Sequence, residues 1–271
     1  MVEISASIVL YKSGNEVRQT IGSFLNTSLS VKLFLIDNSP TDTLNSKLAD
    51  FISDKRVHYV FNNRNLGYGA GHNIALRESI HTSKYHLILN PDISFTKGTL
   101  EKLYNFAEQY PDIGLIIPKV IYPNGTVQFV CKLLPTPLDL LFRRFLPNAL
   151  LGERMERFEL RKSGYNKIFE AAYIHGCFMF LRTEALKKVG LFDERFFMYP
   201  EDIDLTRRIH QQYRTIFYPE VEIVHEHAKG SYKSLKLFWI HITNMIKYFN
   251  KWGWVFDSER KKVNRKILEQ F

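Results

Sequence analysis

Short hydrophobic runs alternate with amphipathic stretches over the first 120 residues of the chain. This alternation is typical of βαβ units, in which parallel strands form a sheet and helices cover its faces. The first run is almost continuously apolar, as expected for a strand that is buried on both faces. We therefore predict strands at Ile4 to Tyr11, Val31 to Ile36, Val57 to Phe61, Tyr85 to Leu89 and Ile113 to Ile117, and helices at Gly14 to Asn26, about Gly71 to His81 and Thr99 to Gln109.

The pattern changes after residue 120. The segment Pro123-Asn124-Gly125-Thr126 has the composition of a hairpin turn between two short strands. Beyond it we predict strands at Ala171 to Leu181, Thr215 to Tyr218 and Val221 to His225, helices that begin at Thr183 and near Glu201, and a helical tail from Ser231. The apolar residues of the tail fall roughly on one stripe: Leu235, Phe238, Trp239, Ile242, Ile246 and Phe249.

The composition, with 45% hydrophobic and 24% charged residues, is ordinary for a soluble globular protein. No run approaches the ~20 apolar residues that a membrane span requires. The N-terminus lacks the basic segment and apolar stretch of a signal peptide, and Cys131 and Cys177 are too few for a disulfide framework. We therefore expect a cytoplasmic protein.

The net charge of +9 calls for an anionic partner. The basic residues are dispersed and no recognition motif accompanies them, which argues against nucleic acid. An anionic membrane face and a phosphate-rich substrate fit the charge equally well.

Polar residues follow several predicted strands, at the edge where open α/β sheets bind ligands. Tyr11, Asp37 and Asp92 lie there, together with the loop that follows Phe61. That loop holds glycines at alternate positions, which allows a phosphate or a ring to approach the backbone closely. The spacing differs from a dinucleotide fingerprint and the loop follows the third strand, so it does not predict NAD binding; a plain tight turn is the alternative. The glycines are Gly67, Gly69 and Gly71.

Two segments have the residue types of a metal site. Asp92, in Asn90-Pro91-Asp92, is suited to a divalent cation that also holds substrate phosphates, although a turn cap is the common alternative. His225 and His227 would lie on one face of an extended chain. A carboxylate with imidazole suits manganese or magnesium as well as zinc, and surface histidines are the alternative.

Three carboxylates lie within four positions after Pro200: Glu201, Asp202 and Asp204. Acidic residues stabilise a helix N-terminus, so a plain helix start is one interpretation. Helical spacing places Glu201 and Asp204 on one face, with Asp202 about 100° away. We predict that Asp204 is structural, because Arg207 and Arg208 lie three and four residues on and can pair with it.

Together these segments resemble family 2 glycosyltransferases of the GT-A fold. The resemblance covers about residues 4 to 232, and the run from Gly190 to Leu205 is most similar to the rhamnosyltransferase-like branch. It rests on Ile8-Val9-Leu10-Tyr11, Leu35-Ile36-Asp37-Asn38-Ser39, Asn65-x-Gly67-x-x-x-Gly71-x-Asn73, Leu89-Asn90-Pro91-Asp92, the run Gly176 to Arg182, and Tyr199-x-Glu201-Asp202-x-Asp204-Leu205.

The resemblance implies an α/β architecture with a Rossmann-like, mostly parallel central sheet, helices on both faces and a C-terminal helical extension. It implies a catalytic domain over residues 1–230, with a nucleotide-sugar-binding half (1–120) and an acceptor-binding half (121–230), followed by an amphipathic basic extension (231–271).

The resemblance also assigns residues. Asp202 matches the general base, and Glu201 is expected to orient the acceptor or that base. Asp92 matches the last acidic position of a metal-binding D-x-D motif, with Asn90 where many members have Asp, and His225 matches a ligand of the metal (Mn²⁺ or Mg²⁺) or of the donor diphosphate. His227 matches less well. The donor pocket would comprise Tyr11, Asp37, Asn38, Ser39, Asn65, Gly67, Gly71, Asn73, Asn90 and Asp92.

The implied reaction is transfer of a sugar, with inversion, from a nucleotide diphosphate to a hydroxyl of a glycan or polyprenyl-diphosphate-linked acceptor. dTDP-rhamnose is the first expectation for the donor, and a UDP-hexose or UDP-furanose the next. The setting would be bacterial surface polysaccharide synthesis, such as that of O-antigen, at the inner face of the plasma membrane. A sugar hydroxyl is a poor nucleophile, so a carboxylate base agrees with this chemistry.

Two other functions compete with this one. A nucleotidyltransferase would need a basic, glycine-rich loop after the first strand, and Lys12-Ser13-Gly14-Asn15 is too short for it. A non-catalytic nucleotide-sugar-binding module would not need Asp92, Asp202 and His225 together.

The tail has two interpretations. Trp252-Gly253-Trp254, followed by Arg260-Lys261-Lys262 and Arg265-Lys266, resembles an amphipathic basic surface that, with Arg143-Arg144, could make peripheral contact with an anionic membrane. A helix that packs on its own domain explains the pattern equally well.

Overall fold

A computed structural model describes residues 1–140, 152–226 and 235–271 of the chain. Arg143, Arg144, His227 and the Gly230-Ser231 pair lie outside the described residues. The strands are β1 (Val2–Leu10), β2 (Val31–Asp37), β3 (Val57–Phe61), β4 (Ser83–Leu89), β5 (Ile93–Ser94), β6 (Ile113–Ile121), β7 (Cys131–Lys132), β8 (Phe169–Glu170), β9 (Tyr173–Ile174), β10 (Phe178–Arg182) and β11 (Arg214–His225). The helices are α1 (Glu16–Leu25), α2 (Thr43–Lys47), α3 (Ala49–Ile52), α4 (Tyr68–Thr82), α5 (Thr99–Gln109), α6 (Gly152–Phe158), α7 (Thr183–Val189), α8 (Glu201–His210), α9 (Leu235–Trp252) and α10 (Ser258–Leu268).

One large sheet organises the described chain, in the strand order β3-β2-β1-β4-β10-β6-β11-β5, with β8 also paired to β11. The first four strands of this order are parallel, as predicted for the βαβ half. Strand β10 then runs antiparallel between β4 and β6, while β6 and β11 are again parallel. The predicted α/β architecture is confirmed, and the inserted antiparallel strand makes the sheet mixed.

The predicted strand from Ala171 to Leu181 is wrong, because the chain leaves the sheet at His175 to Cys177. It forms two strands there, β9 and β10, which belong to different sheets. The break is imposed by the site described below, since the Gly176 amide donates to the Asp202 carboxylate instead of to a neighbouring strand (2.9 Å).

The two strands predicted at 215–218 and 221–225 are a single strand, β11, with a register shift between Tyr218 and Glu222. Pro219 lies at this shift and lacks the amide hydrogen that a regular ladder needs, so a bulge absorbs it. The predicted hairpin near residue 124 is present but short. The Tyr122 amide donates to the Thr126 carbonyl (2.8 Å) and the Gln128 amide to the Val120 carbonyl (2.8 Å), on either side of a bridge between Ile121 and Val127.

The C-terminal helices pack on the rest of the chain. Met245, Tyr248 and Phe249 of α9 and Ile267 of α10 are buried in the main hydrophobic core. Helix α9 does not bury the whole predicted stripe, since Trp239 and Ile246 are exposed on its other side. No helix in the described part of the chain is both long and apolar enough to cross a membrane.

Buried ion pairs join α8 to the extension. Asp204 is fully buried and accepts hydrogen bonds from Arg208 Nε (2.9 Å) and Trp252 Nε1 (2.8 Å); Lys251 Nζ lies 2.6 Å away. The predicted pair of Asp204 with Arg208 is confirmed. The predicted pair with Arg207 is wrong, because the Arg207 guanidinium donates to Asp257 instead.

Candidate active site

A cavity of about 450 Å³ lies where the two halves of the chain meet the first part of α9. The N-termini of α4 and α8 and the end of β4 form its walls. Four sequence-predicted residues line it: Asn90, Asp92, Glu201 and Asp202. Further lining residues are Val9, Tyr68, Tyr173, His175, Gly176, Cys177, Met198, Tyr199, His241 and Met245.

Asp202 is held in place by backbone amides. Its Oδ2 accepts from the Gly176 amide (2.9 Å) and its Oδ1 from the amide of Ile203 (2.8 Å). Burial raises the pKa of Asp202 to about 7, against the opposing effect of these hydrogen bonds. A carboxylate with a pKa near neutrality is suited to accept a proton from a substrate hydroxyl.

Glu201 lies beside Asp202 and is also buried. Its Oε2 has no hydrogen-bond partner among the described residues. Burial, with the neighbouring Asp202 charge, raises the pKa of Glu201 well above its usual range. The raised pKa favours the protonated form of this carboxyl, which can donate a hydrogen bond into the cavity.

The predicted side-chain directions on α8 are wrong in one respect. Glu201 and Asp202 both reach the cavity, whereas Asp204 faces the extension. The cavity is formed by the N-terminal end of the helix, so side chains that leave the first turn in different directions can both reach it.

Strand pairing brings Asp92 and His225 together. Strands β5 and β11 are antiparallel neighbours, and the Glu226 amide donates to the Asp92 carbonyl (3.1 Å). His225 Nε2 lies 3.3 Å from Asp92 Oδ1 and 3.3 Å from Asn90 Nδ2. The sequence-predicted pair therefore forms one corner beside the cavity.

Gln128 fixes the ring of His225. Its amide nitrogen donates to the carbonyls of His225 (2.7 Å) and Ile121 (3.4 Å), so its oxygen must face His225 Nδ1, at 2.9 Å. Nδ1 is therefore the donor, and Nε2 faces Asp92. Burial lowers the pKa of His225, but Cys177 and Asp92 outweigh this effect and raise it to about 10.

This corner fits a divalent cation that is shared with a diphosphate. A carboxylate oxygen and an imidazole nitrogen held by a second residue are suitable ligands for Mn²⁺. Because the raised pKa of His225 favours the imidazolium, binding of such an ion would release the Nε2 proton. In the described ranges, no group of three or more His, Cys, Asp or Glu side chains could hold a metal ion. Few protein ligands suffice where substrate phosphates complete the coordination.

The residues predicted for the donor pocket at the ends of β1 and β2 are held by hydrogen bonds to one another and to their neighbours. The Asp37 carboxylate lies 2.6 Å from the Tyr59 hydroxyl and accepts from the Ser39 amide (2.8 Å). Ser39 Oγ in turn accepts from the Lys12 amide (2.8 Å). Tyr11 is half exposed at the end of β1. The predicted donor pocket therefore combines hydrogen-bonded residues, Asp37 and Ser39, with an accessible tyrosine ring.

The glycine loop is fixed by both halves of the chain. Gly67 has a φ of 90°, and a Cβ at this position would lie 2.3 Å from the Phe197 carbonyl oxygen. Asn65 Oδ1 accepts from the Gly67 amide (3.0 Å), and Asn38 Nδ2 donates to the Gly67 carbonyl (3.1 Å). Gly71 packs directly on Val9, where a Cβ would be 2.8 Å from Cγ2.

Asn73 lies behind this loop. It is buried, and its amide bonds to the backbone of Phe192 through both its nitrogen (2.9 Å) and its oxygen (3.1 Å). The structure therefore places Asn73 where it joins α4 to the segment before α8.

Sequence reasoning missed Tyr68, Gln128, Gly176 and His241. The Tyr68 hydroxyl lies 2.6 Å from the Gly176 carbonyl and 3.1 Å from Asn90 Oδ1, which links the glycine loop to both walls of the cavity. His241 comes from α9, in the extension. Of these four residues, only Tyr68 and Gly176 could have been found from the sequence, because Tyr68 lies in the glycine loop and Gly176 begins the run to Arg182.

The sheet order, the carboxylate at the end of β4 and the acidic helix start define a protein of the GT-A fold, as expected from the sequence. More particularly, the chain belongs to glycosyl transferase family 2, because the model of that family matches residues 5–190.

Two curated relatives are 26% identical to this chain. The low-salt glycan biosynthesis hexosyltransferase Agl10 of Haloferax volcanii aligns over 213 residues, and the N-acetylglucosaminyl-diphospho-decaprenol L-rhamnosyltransferase of Mycobacterium tuberculosis over 245. The alignments cover 78% and 82% of this chain. The chain spans 62% of Agl10 and 76% of the rhamnosyltransferase.

Solved structures with low sequence identity share the fold. GalNAc-T7 with UDP, GalNAc and Mn²⁺ is 15% identical with a TM-score of 0.62, over 83% of this chain and 43% of GalNAc-T7. The mannosyltransferase PcManGT of Pyrobaculum calidifontis, in complex with GDP-Man and Mn²⁺, is 16% identical with a TM-score of 0.58, over 91% and 64%.

Proposed function

We propose that this protein transfers a sugar, with inversion, from a nucleotide diphosphate donor to a hydroxyl of a glycan or lipid-linked glycan. One observation carries the proposal: Asp202, a buried carboxylate with a pKa near 7, faces the same cavity as Asn90 and Asp92. Family membership indicates the reaction class. Asp202 is a candidate base in the same cavity as Asn90 and Asp92, where we place the diphosphate of the donor.

In this mechanism Asp202 removes the proton of the acceptor hydroxyl while that oxygen attacks the anomeric carbon. The amides of Gly176 and Ile203 hold the carboxylate in position. In its protonated form, which the raised pKa favours, Glu201 can donate a hydrogen bond to the acceptor or to Asp202. A single displacement of this kind inverts the anomeric centre.

A divalent metal, Mn²⁺ or Mg²⁺, would be held by Asp92 and His225. When bound, such an ion neutralises the charge that develops on the leaving diphosphate. Gln128 keeps the imidazole oriented for this role. The Mn²⁺ complexes of GalNAc-T7 and PcManGT support a metal-dependent reaction.

The name of the rhamnosyltransferase relative supports a rhamnose donor and a polyprenyl-diphosphate-linked acceptor. We propose dTDP-rhamnose as that donor, and the assembly of surface polysaccharide at the inner face of the membrane as the setting. A UDP-hexose or UDP-furanose is the second candidate, and the hexosyltransferase relative supports it. We propose that residues 1–120 form the half that binds the donor and that residues 121–230 form the half that binds the acceptor.

The substitution Asp202→Asn tests the base. It preserves the shape of the side chain but removes its basicity, so we expect transfer to fall by roughly 10²–10⁴-fold. Donor binding, measured by calorimetry, should be retained. Asp112→Asn changes a surface carboxylate and serves as the matched control, with unchanged turnover. Near-normal transfer by the Asp202 variant would contradict the assignment.

A panel of sugar nucleotides tests the donor. A ligand that binds only the folded state raises the melting temperature, so dTDP-rhamnose should give the largest shift and Mn²⁺ should increase it. We expect Asp92→Asn to lose the increase that Mn²⁺ produces. A larger shift with a UDP-sugar would assign the second candidate, and donor hydrolysis with metal would exclude a non-catalytic module.

A further inference from the structure

The outer side of α9 is apolar and exposed. Trp239 and Ile246 are 65% and 41% exposed, and their spacing of seven residues places them on the same side of the helix. The opposite side buries Met245, Tyr248 and Phe249 in the core. The helix is therefore apolar on two sides, and only one of them is covered within the described chain.

The turn that follows α9 continues this surface. Trp254, Val255 and Phe256 are consecutive apolar residues that are 40%, 66% and 93% exposed. Exposure of apolar side chains to water is unfavourable, and monomeric proteins rarely present contiguous apolar patches of this kind.

This turn is held rigidly. The Trp254 indole donates to Asn250 Oδ1 (2.8 Å), and buried Arg260 donates to the carbonyls of Trp254 (3.3 Å) and Val255 (3.4 Å). Asp257, the next residue, forms a buried ion pair with Arg207. The exposure of the three apolar side chains is thus built into the fold.

Basic residues flank the apolar turn. Helix α10 contains five basic residues and one acidic residue. Lys261 and Arg265 share with Trp254 and Val255 a cleft of about 990 Å³, to which Arg157 also contributes. Within the described ranges, Lys261 and Arg157 form no ion pair. Arg265 lies 3.8 Å from Glu269 in a pair that is exposed on both sides, and such a pair is weak, so all three basic side chains can attract an external anion.

We propose that this surface docks on an anionic lipid bilayer. We define the docking face as Trp239, Ile246, Trp254, Val255 and Phe256 with the basic residues Lys261 and Arg265. Tryptophan and other aromatic side chains favour the interfacial region of a bilayer, and basic side chains favour anionic headgroups. A second copy of the chain fits less well, because the same positive charges would meet across the interface.

The docking face and the cavity lie on two sides of the same helix, α9. His241 and Met245 of α9 line the cavity, while Trp239 and Ile246 of the same helix face outward. A bilayer bound on the outer side would lie one helix diameter, about 10 Å, from the cavity wall. This consequence rests on the proposed function, but binding to the bilayer itself does not.

Flotation with vesicles tests the proposal. We expect the chain of residues 1–271 to float with vesicles of phosphatidylcholine and phosphatidylglycerol, but not with phosphatidylcholine alone, and salt should weaken the binding. The double variant Val255→Glu/Phe256→Glu should lower binding about tenfold or more, because two apolar anchors become charged. Lys261→Gln/Arg265→Gln should lower it about tenfold on the anionic vesicles.

Two controls separate this result from misfolding and from the transfer reaction. Tyr110→Glu alters an exposed aromatic residue at the end of α5 and should leave flotation unchanged. All variants should keep the wild-type melting temperature and its increase with donor. Flotation that Val255→Glu/Phe256→Glu leaves intact would overturn the proposal. So would an equal loss with Tyr110→Glu, or a concentration-dependent dimer without vesicle binding, which would assign the face to a second copy.

Discussion

Glu201 and Asp202 occupy adjacent positions in the first turn of α8, and both carboxyl groups are buried. Two neighbouring buried carboxyls cannot both ionise without a large electrostatic cost, so their pKa values rise. Buried Lys132, the helix N-terminus and the Gly176 amide favour the ionised form of Asp202. These shifts favour Asp202 as the base and Glu201 as a hydrogen-bond donor, which is the division of roles that acid–base chemistry requires.

The raised pKa of Asp202 predicts a pH-dependent cost to stability. Between the pKa of about 4 of an unfolded aspartate and the folded value of about 7, the folded chain binds protons that the unfolded chain has lost. The contribution of this group to stability therefore falls as the pH rises through this range. We expect Asp202→Asn to increase the free energy of unfolding at pH 8 by ~1 kcal/mol or more, which corresponds to a rise of a few degrees in the melting temperature.

At pH 5 the same substitution should raise the melting temperature by less, because this pH lies near the lower end of the range over which the contribution of Asp202 to stability is lost. Thermal unfolding at both pH values measures this difference, with Asp112→Asn as the control. An equal change at both pH values would refute the raised pKa.

At the scale of elements, α8 is the helix on which the site depends, and the extension holds it. Asp204 binds residues of α9, while Arg207 binds the turn before α10. Both side chains also contact Trp252, the last residue of α9. This arrangement fixes the orientation of the helix whose N-terminus carries Asp202.

The ion pair between Arg207 and Asp257 should contribute strongly to folding. Asp257→Ala leaves a buried guanidinium with one remaining carboxylate partner, which costs roughly 3–5 kcal/mol, and it also removes the N-cap of α10. Glu259→Ala is the matched control: it contacts the same Arg207 (2.8 Å), but its side chain is 35% exposed, so we expect a loss of less than about 1 kcal/mol. Urea unfolding compares the two, and equal losses would disprove the argument.

At the scale of the whole molecule, local patterns predicted the first half well. Strands β1, β2 and β4 are largely buried on both faces, and the hydrophobic runs of β2 and β4 therefore had recognisable ends at Asp37 and Asn90. The position of β10 could not be predicted in this way, because its antiparallel pairing with β4 and β6 depends on contacts between residues that are distant in sequence. For the same reason the pattern did not show that Gly176 interrupts a strand to bind Asp202.

The candidate site was predictable where one motif holds its members together, as for Glu201 and Asp202. Gln128 gave no signal, because its role depends on a ring 97 residues away. His241 lies in a helix whose inner and outer sides are both apolar, so periodicity could not tell which side faces the cavity. Physical roles that are assembled by tertiary contacts require the structure.

The close approach of Gly67 to Phe197 has a consequence for engineering. A chimera that takes residues 1–120 from a relative with another donor sugar would import a loop shaped for a different partner segment. Since any side chain at Gly67 would collide with the Phe197 backbone, the crossover should carry the 190–200 segment with the donor half. Specificity would then be exchanged as a pair of non-contiguous modules, with the intervening scaffold left in place.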